Sequence, residues 1–183
     1  LYNFLHIPVQ SGSDAVLEAM RRQHRVAQFR EIVEIFDATL AEWTLSTDFI
    51  VGFPTETDAD HAASMRLLEA VAPTKTNVTR FSKRPGTAAA ELKGLGGQTK
   101  KDRSRALSAR VRELTAARYA ELVGTQREVL VVEPGTGRSV KCRDDAYHQL
   151  IIQDAPEAGV AVGDRLTVEV TAPGPVYAFC EPA

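Results

Sequence analysis

Apolar and polar positions follow two different periods along this chain, and the change of period divides it. Residues 4–9 form a short apolar run that breaks at Gln10, Ser11, Gly12 and Ser13, which predicts a buried strand entering a turn. Ser13 is placed to cap a helix with Asp14 in its first turn, and Val16, Leu17 and Met20 give that short helix an apolar side. A second helix is predicted from near Val26, where Phe29, Ile32, Val33, Phe36 and Leu40 recur at helical spacing. Residues 44–53 return to β character until Pro54 stops them. Thr57 and Asp60 have capping-box spacing ahead of a helix carrying Met65, Leu67, Leu68 and Val71. Residues 75–82 predict a third strand, ended by Pro85 and Gly86.

Strands joined by helix-length connections pair in parallel rather than as hairpins. Such strands are buried on both faces, which suits the run Phe49, Ile50, Val51. Three strands cannot close a barrel, so further strands are expected to precede Leu1. The chain opens on a strand edge without an initiator Met, and reads as the C-terminal part of a longer protein. Gly94, Gly96 and Gly97 mark a linker, followed by one long helix over residues 99–123 with Leu107, Val111, Leu114 and Leu122 on one side and Gly124 at its end. After Gln126 the period shortens. Strands are predicted at 127–133, 139–143, 147–153, 165–171 and 176–180, with turns at 134–137 and 163–164. Five strands in about sixty residues predict a small closed or nearly closed β-barrel of the OB type. The expected divisions are 1–97, 98–123 and 124–183.

Composition adds limits. Hydrophobic content of 44% and charged content of 25% are those of an ordinary globular protein. No apolar run approaches the ~20 residues that span a bilayer, so no membrane role is expected. Cys142 and Cys180 lie 38 positions apart in different predicted strands, and are read as buried small hydrophobes rather than metal ligands. Nothing points to an oxidising compartment, and the cytoplasm is the expected location. His6, His24, His61 and His148 are scattered without ligand spacing, so structural roles are expected for all four. Residues 121–183 hold five Lys/Arg against ten Asp/Glu, a balance of −5. The basic residues concentrate just before that, at Lys100, Lys101, Arg103, Arg105, Arg110, Arg112 and Arg118. This helix is either a solvated face or a surface for nucleic-acid phosphates.

Four segments together resemble a known family. Residues 10–14 (Gln-Ser-Gly-Ser-Asp), Met20 to Arg22, Asp48 to Glu56, and Arg84 with Pro85, Gly86 and Thr87 fall in the order and spacing of the radical S-adenosylmethionine methylthiotransferases that modify tRNA. Residues 77–86 are closer to the archaeal and eukaryotic-type enzymes, which convert N6-threonylcarbamoyladenosine beside the anticodon to its 2-methylthio form. The resemblance implies an α/β fold: the C-terminal part of a radical-SAM (β/α) barrel over 1–97, a basic linker helix over 98–123, and a small all-β TRAM (OB-like) barrel that binds RNA over 124–183. It also implies S-adenosyl-L-methionine and 4Fe-4S clusters as cofactors, and tRNA, a sulfur donor and a reductant as partners. In the family one cluster cleaves S-adenosylmethionine to a radical, a second delivers sulfur, and a second S-adenosylmethionine supplies the methyl group. The cysteine triplet that holds the first cluster is absent from these 183 residues, so this chain alone is expected to be inactive.

By the same resemblance, Gln10 and Ser11 are candidates for the ribose hydroxyls or methionine carboxylate of the cofactor, and Arg22 for that carboxylate. Asp48, Ile50 and Gly52 form the candidate cofactor strand, with Ile50 against adenine and Gly52 allowing close backbone approach. Taken one at a time, the same residues also read as a strand-to-helix turn, a solvated charge and a core strand. Arg138, Lys141 and Arg143, beside Tyr147 and His148, are the candidate RNA contacts of the barrel. One position departs from the family: Thr55 stands where Gly is usual, and a turn needing positive φ would resist it. Two other functions stay open, a non-catalytic tRNA-binding module and a methylthiotransferase acting on a ribosomal protein.

Overall fold

A computed structural model describes residues 1–183 as two compact units. One comprises His6–Thr39 and Leu45–Val111; the other comprises Leu1–Leu5, Leu40–Thr44 and Arg112–Ala183. No helix is long and apolar enough to cross a membrane.

The first unit is α/β, although Phe4, Leu5 and Thr44 at the starts of its first two strands are counted with the other unit. Strands β1 (Phe4–His6), β2 (Thr44–Val51) and β3 (Lys75–Arg80) form a sheet in the order β1-β2-β3, connected by helices α1 (Asp14–Ala19), α2 (Val26–Thr39) and α3 (Asp58–Val71). β2 and β3 run parallel, in register from Ser46 opposite Lys75 to Val51 opposite Arg80. The parallel pairing expected from helix-length connections is therefore present. β2 is the central strand and buries Leu45, Phe49 and Val51, whereas β3 lies at an edge and is mostly exposed.

The first strand is shorter than the predicted 4–9. It stops at His6 because Pro8 has no N–H for the ladder. The buried Thr47 hydroxyl spans that break, donating to the Ile7 carbonyl at 2.8 Å and accepting from the Val9 N–H at 3.2 Å. Gln10 then rejoins β2 through a parallel bridge to Phe49.

Both predicted caps are formed. The Ser13 hydroxyl accepts from the Val16 N–H, and Thr57 with Asp60 makes a reciprocal capping box. Such caps stabilise a helix by about 1 kcal/mol each. Gly12 has a packing reason: a Cβ there would lie 2.5 Å from Ser64 Cα, and its N–H donates to the Ser64 hydroxyl at 2.9 Å. The turn that follows β1 thus presses against the backbone of α3.

The second unit is a closed five-stranded barrel. Strands β4 (Gln126–Pro134), β5 (Val140–Arg143), β6 (Gln149–Ile152), β7 (Arg165–Pro173) and β8 (Ala178–Pro182) follow the order β4-β5-β6-β8-β7 around it. All neighbours are antiparallel except β6 and β8. Inward positions alternate strictly, as a pleated strand requires: Val129 and Val131, Val140 and Cys142, Leu150 and Ile152, Val168 and Val170, Ala178 and Cys180. Register shifts after Val131 and after Val170 bend two strands, a device that helps close so small a barrel. The cysteines face this interior as free thiols, the apolar role expected for them.

Helix α4 (Gly97–Glu121) carries the basic stretch. Its buried positions are Arg103, Leu107, Thr115 and Tyr119, spaced by multiples of four. An arginine occupies the first of them.

Candidate functional site

The α/β unit opens a cavity of about 550 Å³ beside the C-terminal ends of β2 and β3. Parallel strand ends are where α/β folds place ligand sites, because side chains of successive loops converge there. Ile50 comes from β2, Thr79 and Arg80 from β3, and Met20, Arg21 and Arg22 from the end of α1. Phe53 and Phe81 stand edge to face, with centroids 5.0 Å apart, and supply an apolar wall. Arg84, Gly86 and Thr87 close the other side. The lining therefore combines four arginines with aliphatic and aromatic surface, and contains no carboxylate.

Two sequence-selected residues, Arg22 and Ile50, meet in this cavity, while Gln10, Ser11, Asp48 and Gly52 lie outside its lining. Ser11 is fully buried, accepts from the Ser13 N–H at 3.2 Å and lies 3.5 Å from the Ser64 hydroxyl. Gln10 holds a left-handed φ of 72°, rare for a residue other than glycine, with its backbone fastened to Asp48 and Ile50. The Asp48 carboxylate is engaged by His6 Nε2 at 3.1 Å and by the Asn77 amide at 2.7 Å, a polar row across all three strands.

Gly52 has φ 76°, and a Cβ there would fall 2.3 Å from the side chain of Lys100. The space that a side chain at residue 52 would need is occupied by the stem of Lys100. Thr55 has no positive φ, so the turn that would have resisted a β-branched residue does not arise.

That turn is held from below by α4, a feature the sequence reading missed. The Gly52 N–H donates to Glu56 Oε2 at 2.8 Å, and Arg103 donates to the same oxygen at 2.6 Å and to the Glu56 carbonyl at 2.9 Å. The other guanidinium nitrogen reaches Asp58 at 2.7 Å. Burial disfavours the Arg103 charge, but the Asp58 and Glu56 carboxylates more than offset it and raise its pKa. Glu56 is 3% exposed, so the pair is desolvated and held in one geometry. The available signal was an arginine four residues before Leu107, on the buried side of a helix. Close by, hydrogen bonds from Ser13 and Thr57 hold Asp60 below the usual carboxylate value, and burial keeps His61 below the usual imidazole value.

The barrel's candidate cations are each engaged. Arg138 lies 3.2 Å from Asp154 and 2.9 Å from Glu157, and Lys141 lies 3.0 Å from Glu133. Arg143 stacks over the Tyr147 ring at 4.4 Å and donates to the Tyr147 carbonyl. They do not form one open patch. His148 is buried against Asp144 at 2.9 Å, and Arg127 pairs with both Asp144 and Glu42. His24 binds the Val9 carbonyl at 3.1 Å.

Residues 2–68 match the family model of the Radical SAM superfamily. Over 170 residues, 93% of this chain, the sequence is 39% identical to a probable threonylcarbamoyladenosine tRNA methylthiotransferase of Archaeoglobus fulgidus, covering 39% of that protein. It is also 39% identical over 177 residues, 96% of this chain, to a tRNA-2-methylthio-N(6)-dimethylallyladenosine synthase of Cereibacter sphaeroides, covering 40% of it. A probable threonylcarbamoyladenosine tRNA methylthiotransferase of Methanothermobacter thermautotrophicus is 41% identical over 153 residues, 84% of this chain and 36% of that protein. The chain thus spans about two fifths of the length of the curated relatives it matches.

Proposed function

Because this chain belongs to the radical SAM methylthiotransferase family, we propose that it is the C-terminal part of an enzyme that methylthiolates adenosine in tRNA. In this reading residues 1–97 are the last part of the radical-SAM barrel, 98–123 a basic linker helix, and 124–183 a TRAM barrel that contacts RNA. The observation that carries it is the cavity at the ends of β2 and β3, where Arg22 and Ile50 meet.

S-adenosylmethionine fits this lining, and when bound it supplies the radical and methyl chemistry. Ile50 offers an apolar wall to the adenine ring, and the Arg22 guanidinium is a bidentate partner for the methionine carboxylate. Phe53 and Phe81 would extend the apolar surface that Ile50 begins. Gln10, Ser11, Asp48 and Gly52 serve the same site by fixing the strand ends that present Ile50.

The cysteines of this chain do not fit a 4Fe-4S cluster. Burial pushes the Cys142 thiol up to about 11 and the Cys180 thiol up to about 12, and both lie inside the barrel. The cluster ligands therefore belong outside these 183 residues, and the chain alone is inactive. Sulfur donor and reductant act on the full-length enzyme, in the cytoplasm. Arg138, Lys141 and Arg143 are the RNA contacts of the barrel, with the stacked Arg143 and Tyr147 as the best-formed element.

The substrate is tRNA carrying N6-threonylcarbamoyladenosine, supported by the archaeal relatives and by residues 77–86. A second reading, the dimethylallyl base, is favoured by the equally similar relative from Cereibacter. Nucleoside analysis of tRNA from a host lacking the gene separates them. Loss of the 2-methylthio-threonylcarbamoyl nucleoside, with its precursor accumulating, is expected. Loss of the dimethylallyl counterpart would transfer the assignment to the second reading, and an unaltered profile would overturn both.

A further inference from the structure

Arg21, Arg22, Arg80 and Arg84 all line the cavity, and none of them makes an ion pair. That charge exceeds what the proposed cofactor needs. S-adenosylmethionine brings one carboxylate together with a sulfonium and an ammonium, so its net charge is positive. One bidentate guanidinium satisfies its carboxylate, and three more would only repel it. All four side chains are exposed and solvated, so the surplus leaves positive charge free to pair with a second anionic group in the same cavity.

The two kinds of relative are named for bases that differ in this respect. The threonylcarbamoyl substituent on N6 ends in a carboxylate beside a hydroxyl. The dimethylallyl substituent is a hydrocarbon, and seating it here would remove water from unpaired guanidinium groups without replacing their hydrogen bonds. Arg80 and Arg84 sit on β3 and the loop after it, on the wall formed with Phe81, apart from Arg22 on α1's end.

We propose that Arg80, with Arg84 beside it, pairs with the carboxylate of an amino-acid substituent on N6 of the target adenosine, and that Arg80 decides which modified tRNA is accepted. The proposal rests on the methylthiotransferase reading above. A site built to pair a charged group rejects an analogue lacking it by large factors, because its own groups are left unpaired.

The test uses the full-length enzyme and three anticodon stem–loop RNAs of one sequence, carrying threonylcarbamoyl-adenosine, dimethylallyl-adenosine or plain adenosine. The natural enzyme is expected to prefer the first over the second in kcat/KM by roughly 100-fold or more. In the double variant Arg80→Gln/Arg84→Gln that preference should fall at least about tenfold, chiefly through KM. An unaltered preference would overturn the proposal. Equal loss of binding on all three RNAs would also overturn it, since these arginines would then be meeting phosphates. If the natural enzyme makes no methylthio product from any RNA, the functional reading fails instead. Titration with the free nucleosides then decides the arginine assignment: tighter binding of threonylcarbamoyladenosine than adenosine, lost in the double variant, supports it, and equal binding overturns it.

Discussion

The barrel and the α/β unit both carry clustered arginines, yet the fold treats them in opposite ways. In the barrel Arg138 has two carboxylate partners, Lys141 has one, and Arg143 lies over a tyrosine ring. In the α/β unit Arg21, Arg22, Arg80 and Arg84 surround a cavity with no carboxylate in its lining. The difference follows from charge and architecture together. In a barrel segment of balance −5, Asp154 and Glu157 lie beside Arg138 and Glu133 beside Lys141, so these cations are met locally. The ends of parallel strands gather loops from distant parts of the chain, and here those loops bring four arginines with apolar and hydroxyl side chains but no carboxylate. A basic cluster in sequence is therefore a weaker guide to an anion site than the set of cations a fold leaves without counter-charge.

The sharpest contrast concerns burial. Arg103→Met removes one half of a desolvated pair and strands Glu56, so it should destabilise the α/β unit by about 3–5 kcal/mol in urea unfolding. Arg138→Gln in the barrel breaks only exposed pairs and should cost under about 1 kcal/mol. Equal effects would mean the two classes of ion pair do not differ as described.

Next come the glycines that let chain segments approach. Gly12→Ala places a Cβ against the backbone of α3, and Gly52→Ala adds both a clash with Lys100 and an unfavourable φ. Each should cost about 1–3 kcal/mol. Gly137→Ala in the barrel meets no atom, and carries only the strain of its φ of 65°. Thermal unfolding of the three variants would rank them, and a larger loss at Gly137 would contradict the packing account.

A smaller effect depends on pH. The Ser13 hydroxyl and the Thr57 hydroxyl and N–H hold the Asp60 carboxylate below its unfolded value of 3.8. Its contribution to stability is therefore present above that value and lost as pH falls through the lower folded value. The stability difference between Asp60→Asn and the natural chain should shrink below about pH 4. A difference that stays constant down to pH 2 would remove the carboxylate from the capping box.

Local chemistry made much of this fold legible. Ser13, Thr57 and Asp60 announced two helix starts, since caps act over three residues. The parallel pairing of β2 and β3 followed from connection length, and five short alternating runs announced the barrel. What was not legible is long-range. The parallel contact of β6 with β8 that closes the barrel has no local signature. Arg103 and Glu56 lie 47 positions apart, and the charged residue occupies a position that periodicity reserves for apolar ones. Within the site, Arg22 and Ile50 were singled out from motifs. Arg84 belongs to a motif too, but its place in the cavity, like that of Arg80, follows from β3 lying beside β2, which no spacing rule expresses.

The central claim is that the cofactor enters the α/β cavity and not the barrel. Hydrogen–deuterium exchange on the full-length holoenzyme, with and without S-adenosylmethionine, tests it directly. Slowed exchange should appear at residues 19–22, 50–53 and 79–89, with the barrel strands unchanged. Protection confined to residues 124–183, or none at residues 50–53 under saturating cofactor, would contradict it.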